Sequence, residues 1–167
     1  PKGHPAMGSM IMNMAANVLG LDNAATPMGL KAMEQLQELN KKKDEASNAQ
    51  ILFMVINASA VTLIPITILM YRAELGSANP AAVFMPILFA TSISTLVGFL
   101  SVAFVQKLNI FNRVVLGYMA AFFAIIGGVA WYFTSLPAEV RLIASAEWGN
   151  AILFGFIILF ICAGVLK

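Results

Sequence analysis

The sequence predicts an all-α fold, a polytopic transmembrane helix bundle with a discontinuous or re-entrant helix near the N-terminus and a proline-kinked helix after it. Three observations carry this. Four long stretches without a formal charge, 51–71, 75–106, 114–138 and 148–166, fill most of the chain after residue 50. A helix rises about 1.5 Å per residue, so roughly 20 apolar residues cross a ~30 Å hydrocarbon core. Hydrophobic residues make up 60% of the 167 and charged residues 11%, far from the balance of a soluble domain. Polar residues then interrupt the apolar pattern twice, before the second long stretch begins.

The N-terminal element is expected as a broken helix over 5–39. Met7, Met10, Ile11, Met14, Val18 and Leu21 fall on one helical face, and Ser9, Asn13, Ala16, Asn17 and Gly20 fall on the other, at spacings of three and four. Gly20-Leu21-Asp22-Asn23-Ala24-Ala25-Thr26-Pro27 then reads as a helix end and a new start. Thr26 is the expected cap and Pro27 lies in the first turn. Irregular backbone at membrane depth is stable only inside protein or beside a water-filled cavity. In transporters such breaks hold solutes and ions on free backbone groups. Asp22 is the only acid before Lys31, and an acid at depth is a functional candidate. The alternative is a surface turn with a solvated Asp22, in which Asn13 and Asn17 only join helices.

A charged loop over 40–48 follows, with Lys41, Lys42 and Lys43. Ser47-Asn48-Ala49-Gln50 matches the capping box and starts the first span, 49–72. Within it, Asn57, Ser59 and Thr62 precede Pro65. Pro65 has no N–H to give the Val61 carbonyl, so a kink is expected there. Gly76-Ser77-Ala78-Asn79-Pro80 is a turn cluster. The second span is expected over 81–106, the third over 114–136, ended by Leu136-Pro137, and the fourth over 148–166. Thr91, Ser94, Thr95, Gly98 and Ser101 form a small-polar stripe in the second span, and Ala120, Ala124 and Gly128 a small one in the third. Both suit close helix packing.

The loops also carry an orientation. Lys31, Lys41, Lys42, Lys43, Lys107, Arg113 and Lys167 lie in alternate loops, against Arg72 and Arg141 in the others. The positive-inside rule puts the Lys41–Lys43 loop and the C-terminus in the cytoplasm. Trp131, Tyr132 and Trp148 then mark the outer interface. The chain starts without Met and ends on Lys167, and is expected to be a piece of a longer membrane protein.

Several runs resemble the spore maturation protein A/B family: Pro1-Lys2-Gly3-His4-Pro5-Ala6, residues 13–33 (NMAANVLGLDNAATPMGLKAM), Ala46-Ser47-Asn48-Ala49-Gln50, and 57–67. The likeness covers roughly the first hundred residues and GLDNAATPMGLKAM is its specific part. It implies a multi-pass protein of the bacterial inner membrane with a gate, or nucleoside-recognition, domain similar to part of concentrative nucleoside transporters. It implies two parts, a gate-like domain over 1–108 and two further spans over 109–167. By motif, the gate-like positions are Asn13, Asn17, Gly20, Asp22, Asn23, Thr26 and Pro27, with Asn57, Ser59, Thr62 and Pro65 joining them. The sequence departs from nucleoside transporters in lacking a second acid beside Asp22.

Enzyme chemistry is not expected: H-E-x-x-H, paired cysteines and a Walker loop are all missing from the sequence. His4 suits an interface and Cys162 a packing thiol. Neither a metal nor a cofactor is expected. A net charge of +2 gives no nucleic-acid footprint. Expected partners are the lipid bilayer, a B-like membrane partner or fused half, a second copy, and a small polar solute. Two functions follow. One is a gate-domain transporter or channel component that binds a small polar solute, nucleoside-like by family label. The other is a non-transporting structural subunit that pairs with a B-like partner in spore or envelope maturation.

Overall fold

The computed structural model describes residues 3–165, apart from the side chains of Asp22 and Val165. Among these the protein is 79% helical without strands. Its helices are α1 Pro5–Val18, α2 Asp22–Leu39, α3 Asn48–Ala58, α4 Ile66–Glu74, α5 Phe84–Val105, α6 Arg113–Ser135 and α7 Ala138–Val165, with a 3₁₀ turn at Pro80–Val83.

His4 caps α1, its Nδ1 accepting the Ala6 N–H at 3.2 Å with proline in the first turn. The helix ends in a Schellman turn. Gly20 has φ +64°, its N–H bonds the Asn17 carbonyl at 3.0 Å, and the Leu21 N–H bonds the Ala16 carbonyl at 2.8 Å. The Leu21 carbonyl then accepts from both Ala24 and Ala25, at 3.0 and 2.9 Å. The second helix therefore nucleates at once, beginning at Asp22. Thr26 is not its cap and Pro27 lies inside it. The expectation of a start at Thr26–Pro27 is corrected by this hand-over.

The two halves do not run end to end. They fold back as a hairpin, Ser9 Oγ donating to Gln35 Oε1 at 2.7 Å near its open end and Asn13 Nδ2 to the Ala25 carbonyl at 2.8 Å nearer the tip. Ala6, Ala32 and Leu36 pack together with Phe53 of α3. The small alanines let the two backbones approach.

The expected proline-kinked span over 49–72 is also altered. It is two half-helices, α3 and α4, joined by non-helical backbone over 59–65. Ser59 Oγ donates to the Val55 carbonyl at 2.7 Å. Pro65, at φ −77° and ψ 62°, centres an inverse γ-turn closed by Ile66 N–H to the Ile64 carbonyl at 2.8 Å. At 11 residues, α3 rises about 16 Å, about half the thickness of a ~30 Å hydrocarbon core and too short to cross it alone. The capping box at Ser47 and Gln50 is present as expected.

Among the described residues three helical stretches are long and apolar enough to cross a membrane: Pro80–Val105, Arg113–Ser135 and Ala138–Gly164. The last begins well before the expected 148. The Pro137 carbonyl accepts from Val140 and Arg141 at 3.0 and 3.2 Å, starting α7 directly after the turn. Arg141 reaches back to the Leu136 and Thr134 carbonyls, both at 2.9 Å. The charged run 139–147 is thus the first part of a helix, not a loop.

At this end α5 and α7 interlock. Ser145 Oγ accepts the Met85 N–H at 3.1 Å and donates to the Ala82 carbonyl at 2.8 Å. Phe84, Met85, Leu88, Phe133 and Ala144 form the core. The Phe133 ring meets Trp148 edge-on at 5.7 Å. At the opposite end, Gln106 Nε2 donates to the Asn48 carbonyl at 3.0 Å. That bond sets the two basic loops side by side. Here α5 closes with another Schellman turn, Leu108 N–H to the Ala103 carbonyl at 2.9 Å. Its left-handed residue is Lys107 at φ +50°, where glycine is usual and any other residue costs about 1 kcal/mol. Cys162 is exposed near the C-terminal end of α7 rather than packed.

Candidate functional site at two meeting helix breaks

The tip of the α1–α2 hairpin touches the gap between α3 and α4. The Val18 carbonyl, at the end of α1, accepts the Leu63 N–H at 2.8 Å and the Ile64 N–H at 3.4 Å. Gly20 is buried against this segment. A Cβ on it would sit inside the Ile64 carbonyl oxygen, and 3.2 Å from both the Ile64 carbonyl carbon and the Ile66 nitrogen. Each interruption therefore supplies hydrogen-bond partners that the other has lost. Two breaks that are separate in sequence form one unit.

The small-polar stripe of α5 closes the other side of the gap. Thr95 Oγ1 donates to the Ser59 carbonyl, and Thr91 Oγ1 accepts the Thr62 N–H at 3.3 Å. Gly98 lies against Ser59 and Val55, close enough that a Cβ would be 3.0 Å from each. Hydroxyls thus take the place of water for backbone that no helix satisfies.

Beside the gap, three amides converge. Asn13 is buried and its Oδ1 accepts from Asn17 Nδ2 at 3.3 Å. Asn17 Nδ2 also donates to Asn57 Oδ1, across from α1 to α3. Among the described residues the Asn17 Oδ1 acceptor and the Asn57 Nδ2 donor remain without a protein partner. Both belong to a groove of about 270 Å³ lined also by Asn13, Thr26, Gly29, Phe53 and Met54. None of its lining residues is charged. It offers a donor and an acceptor above an apolar floor, the arrangement that suits a neutral polar solute.

Of the residues singled out from sequence, Asn13, Asn17, Thr26 and Asn57 share this groove. Gly20 and Pro65 shape the junction behind it. Ser59 and Thr62 turn toward α5 instead. Asn23 and Pro27 are exposed on the first part of α2. Asp22 begins α2, and its side chain is outside the described residues. Sequence reasoning missed Ala25, whose carbonyl holds Asn13, and Gly29, where a Cβ would meet Asn13 Nδ2 at 2.9 Å. The signal for Gly29 was there: a small residue on α2 opposite an amide on α1.

Comparison with known proteins finds spore maturation protein A of Bacillus subtilis (strain 168), 47% identical over 94 residues, 56% of this chain. The match spans 48% of that relative, so the chain accounts for about half its length. No protein-family model matches, and no solved structure does. The similarity supports the spore maturation protein A family, and with the apolar helices it supports a membrane protein.

Proposed function

We propose that the hairpin tip and the α3–α4 gap form the solute-binding and gating element of a transporter or channel component in the bacterial inner membrane. The observation that carries this is the amide chain Asn13–Asn17–Asn57 beside the Gly20–Ile64 junction. Buried or half-buried amides within a membrane are costly and are sustained where they face a cavity. Their unpaired donor and acceptor fit a neutral solute with both kinds of group, a hydroxyl, an amide or a base edge. A nucleoside-like solute is consistent with that chemistry. The basic loops at one end face the cytoplasm in this reading, the site does no covalent chemistry, and the solute is its ligand.

The second reading is a structural subunit that pairs with a B-like membrane partner, or with another copy, in spore or envelope maturation without moving a solute. It is favoured by the name of the relative and by α6, whose Gly117, Gly127 and Gly128 have no neighbour within 4 Å. Flux in proteoliposomes separates the two. Asn57→Leu and Asp22→Asn are expected to abolish solute movement while the protein still assembles. Unchanged flux in both, or a cysteine at Asn17 closed to water-soluble thiol reagents, overturns the transport reading in favour of the structural one.

A further inference from the structure

Lys107 stands where a helix terminus of this kind normally takes glycine. Its φ of +50° makes it the only non-glycine residue with positive φ among those described. Backbone strain kept at one side chain points to a use for that side chain. Lys107 is exposed and makes no ion pair, the one salt bridge among the described residues being Lys42–Glu45. The Gln106 and Asn48 side chains lie beside it, Gln106 tied to the Asn48 backbone.

Two grooves flank this lysine. The first, about 400 Å³, runs between α3 and α5 with Ile51, Val55, Val102 and Val105 as walls and Asn48, Gln106 and Lys107 at its rim. The second, about 880 Å³, lies across α5, between its last turns and the loop at 108–111, and also includes Val105 and Lys107. Its walls are Leu100, Phe104, Leu108, Ile110 and Phe111. Lys107 directly follows a helix long and apolar enough to cross a membrane, and a cation at the end of such a span belongs at headgroup level, with the last turns of the helix on its hydrocarbon side.

We infer that the end of α5 is a binding site for one anionic phospholipid, with its phosphate on Lys107 and the neighbouring amides and one acyl chain in each groove. Cation at the rim and apolar walls below on both sides complement a two-chained anion. A zwitterionic lipid brings its own cation to the same place and gains less from the lysine. A polar solute has no use for the walls, so this site is separate from the amide groove. Lys107 lines both grooves, and the glycine that an unstrained cap would use there carries no side chain.

The test is native mass spectrometry of the protein in neutral detergent, with dioleoyl phosphatidylglycerol or dioleoyl phosphatidylcholine added, read beside thermal denaturation. The wild type is expected to retain one phosphatidylglycerol at least tenfold better than phosphatidylcholine. Lys107→Gly is expected to lose that preference tenfold and yet to melt higher without lipid, because glycine relieves the backbone. Lys107→Gln loses the preference without the gain in melting temperature, and Lys107→Arg keeps the preference. Ile51→Trp, which fills the α3–α5 groove with the charge intact, weakens retention. Equal retention of the two lipids by the wild type, or undiminished retention by both Lys107→Gly and Lys107→Gln, overturns the proposal. Undiminished retention in Ile51→Trp overturns the placement of a chain between α3 and α5.

Discussion

Gly20 and Ile64 meet backbone to backbone, with no room for a Cβ between them. Glycine is needed there for two independent reasons, its positive φ and this contact. A methyl group would both strain the turn and push the hairpin tip off the α3–α4 gap. That displacement would break the bonds from Leu63 and Ile64 to the Val18 carbonyl. Gly20→Ala is therefore expected to destabilise the protein by at least ~2 kcal/mol, strain and lost hydrogen bonds together. Gly76, also at positive φ but with open space around it, is the control. Gly76→Ala should cost only the strain of its turn, and denaturant or thermal unfolding in detergent compares the two.

The amide pair Asn17–Asn57 should show coupling that its single mutants do not add up to. Hydrogen bonds between membrane helices average about 0.6 kcal/mol and reach ~1.7. A double-mutant cycle with Asn17→Ala and Asn57→Ala is expected in that range, since the bond joins α1 to α3 and either single variant removes it. A coupling indistinguishable from zero would mean the bond contributes nothing to holding α1 on α3.

Much of this arrangement could be read from residue types. Gly20, Asn57 and Pro65 announced two breaks because each residue type has a local mechanism for ending a helix. Ser47 and Gln50 fixed the start of α3 for the same kind of reason. The meeting of the breaks was not legible, because nothing local in Gly20 or Ile64 names the other. Nor was the hairpin: a helix, a turn and a second helix read the same in sequence whether they continue or fold back, and Ser9–Gln35 pairing decides it. The start of α7 was missed for a different reason. Charge density between 139 and 147 resembles a loop, but at a membrane surface charged residues sit comfortably in the outer turns of a helix.

Thr95 tests whether the α5 hydroxyls hold the gap open. Its Oγ1 bonds both the Ser59 carbonyl and, at 2.9 Å, the Thr91 carbonyl in its own helix. Valine has nearly the same shape and no hydroxyl, so Thr95→Val removes the bond without leaving a cavity. The Ser59 carbonyl then faces apolar surroundings unpaired, a cost of roughly 1–3 kcal/mol. Ser101→Val is the comparison, because the Ser101 hydroxyl bonds only Val97 in its own helix and is expected to change stability little. Unfolding in detergent measures both, and amide hydrogen exchange over 59–65 should accelerate in Thr95→Val alone.

Ser145 carries the equivalent role at the start of α5, with one hydroxyl serving two backbone groups there. Buried at 3% exposure, it accepts from Met85 and donates to Ala82, so Ser145→Ala strands a donor and an acceptor at once. Each unsatisfied group costs about 1–3 kcal/mol, and the alanine itself fits without strain. The expected loss is therefore ~2–4 kcal/mol, larger than for any single exposed substitution on α7. Ser145→Cys should recover little of it, since a thiol is a weak donor and acceptor. Thermal denaturation of the three proteins in one detergent gives the order wild type, cysteine, alanine. Equal melting of the alanine variant and the wild type would mean that water reaches the start of α5, and that this end of the bundle is open to solvent.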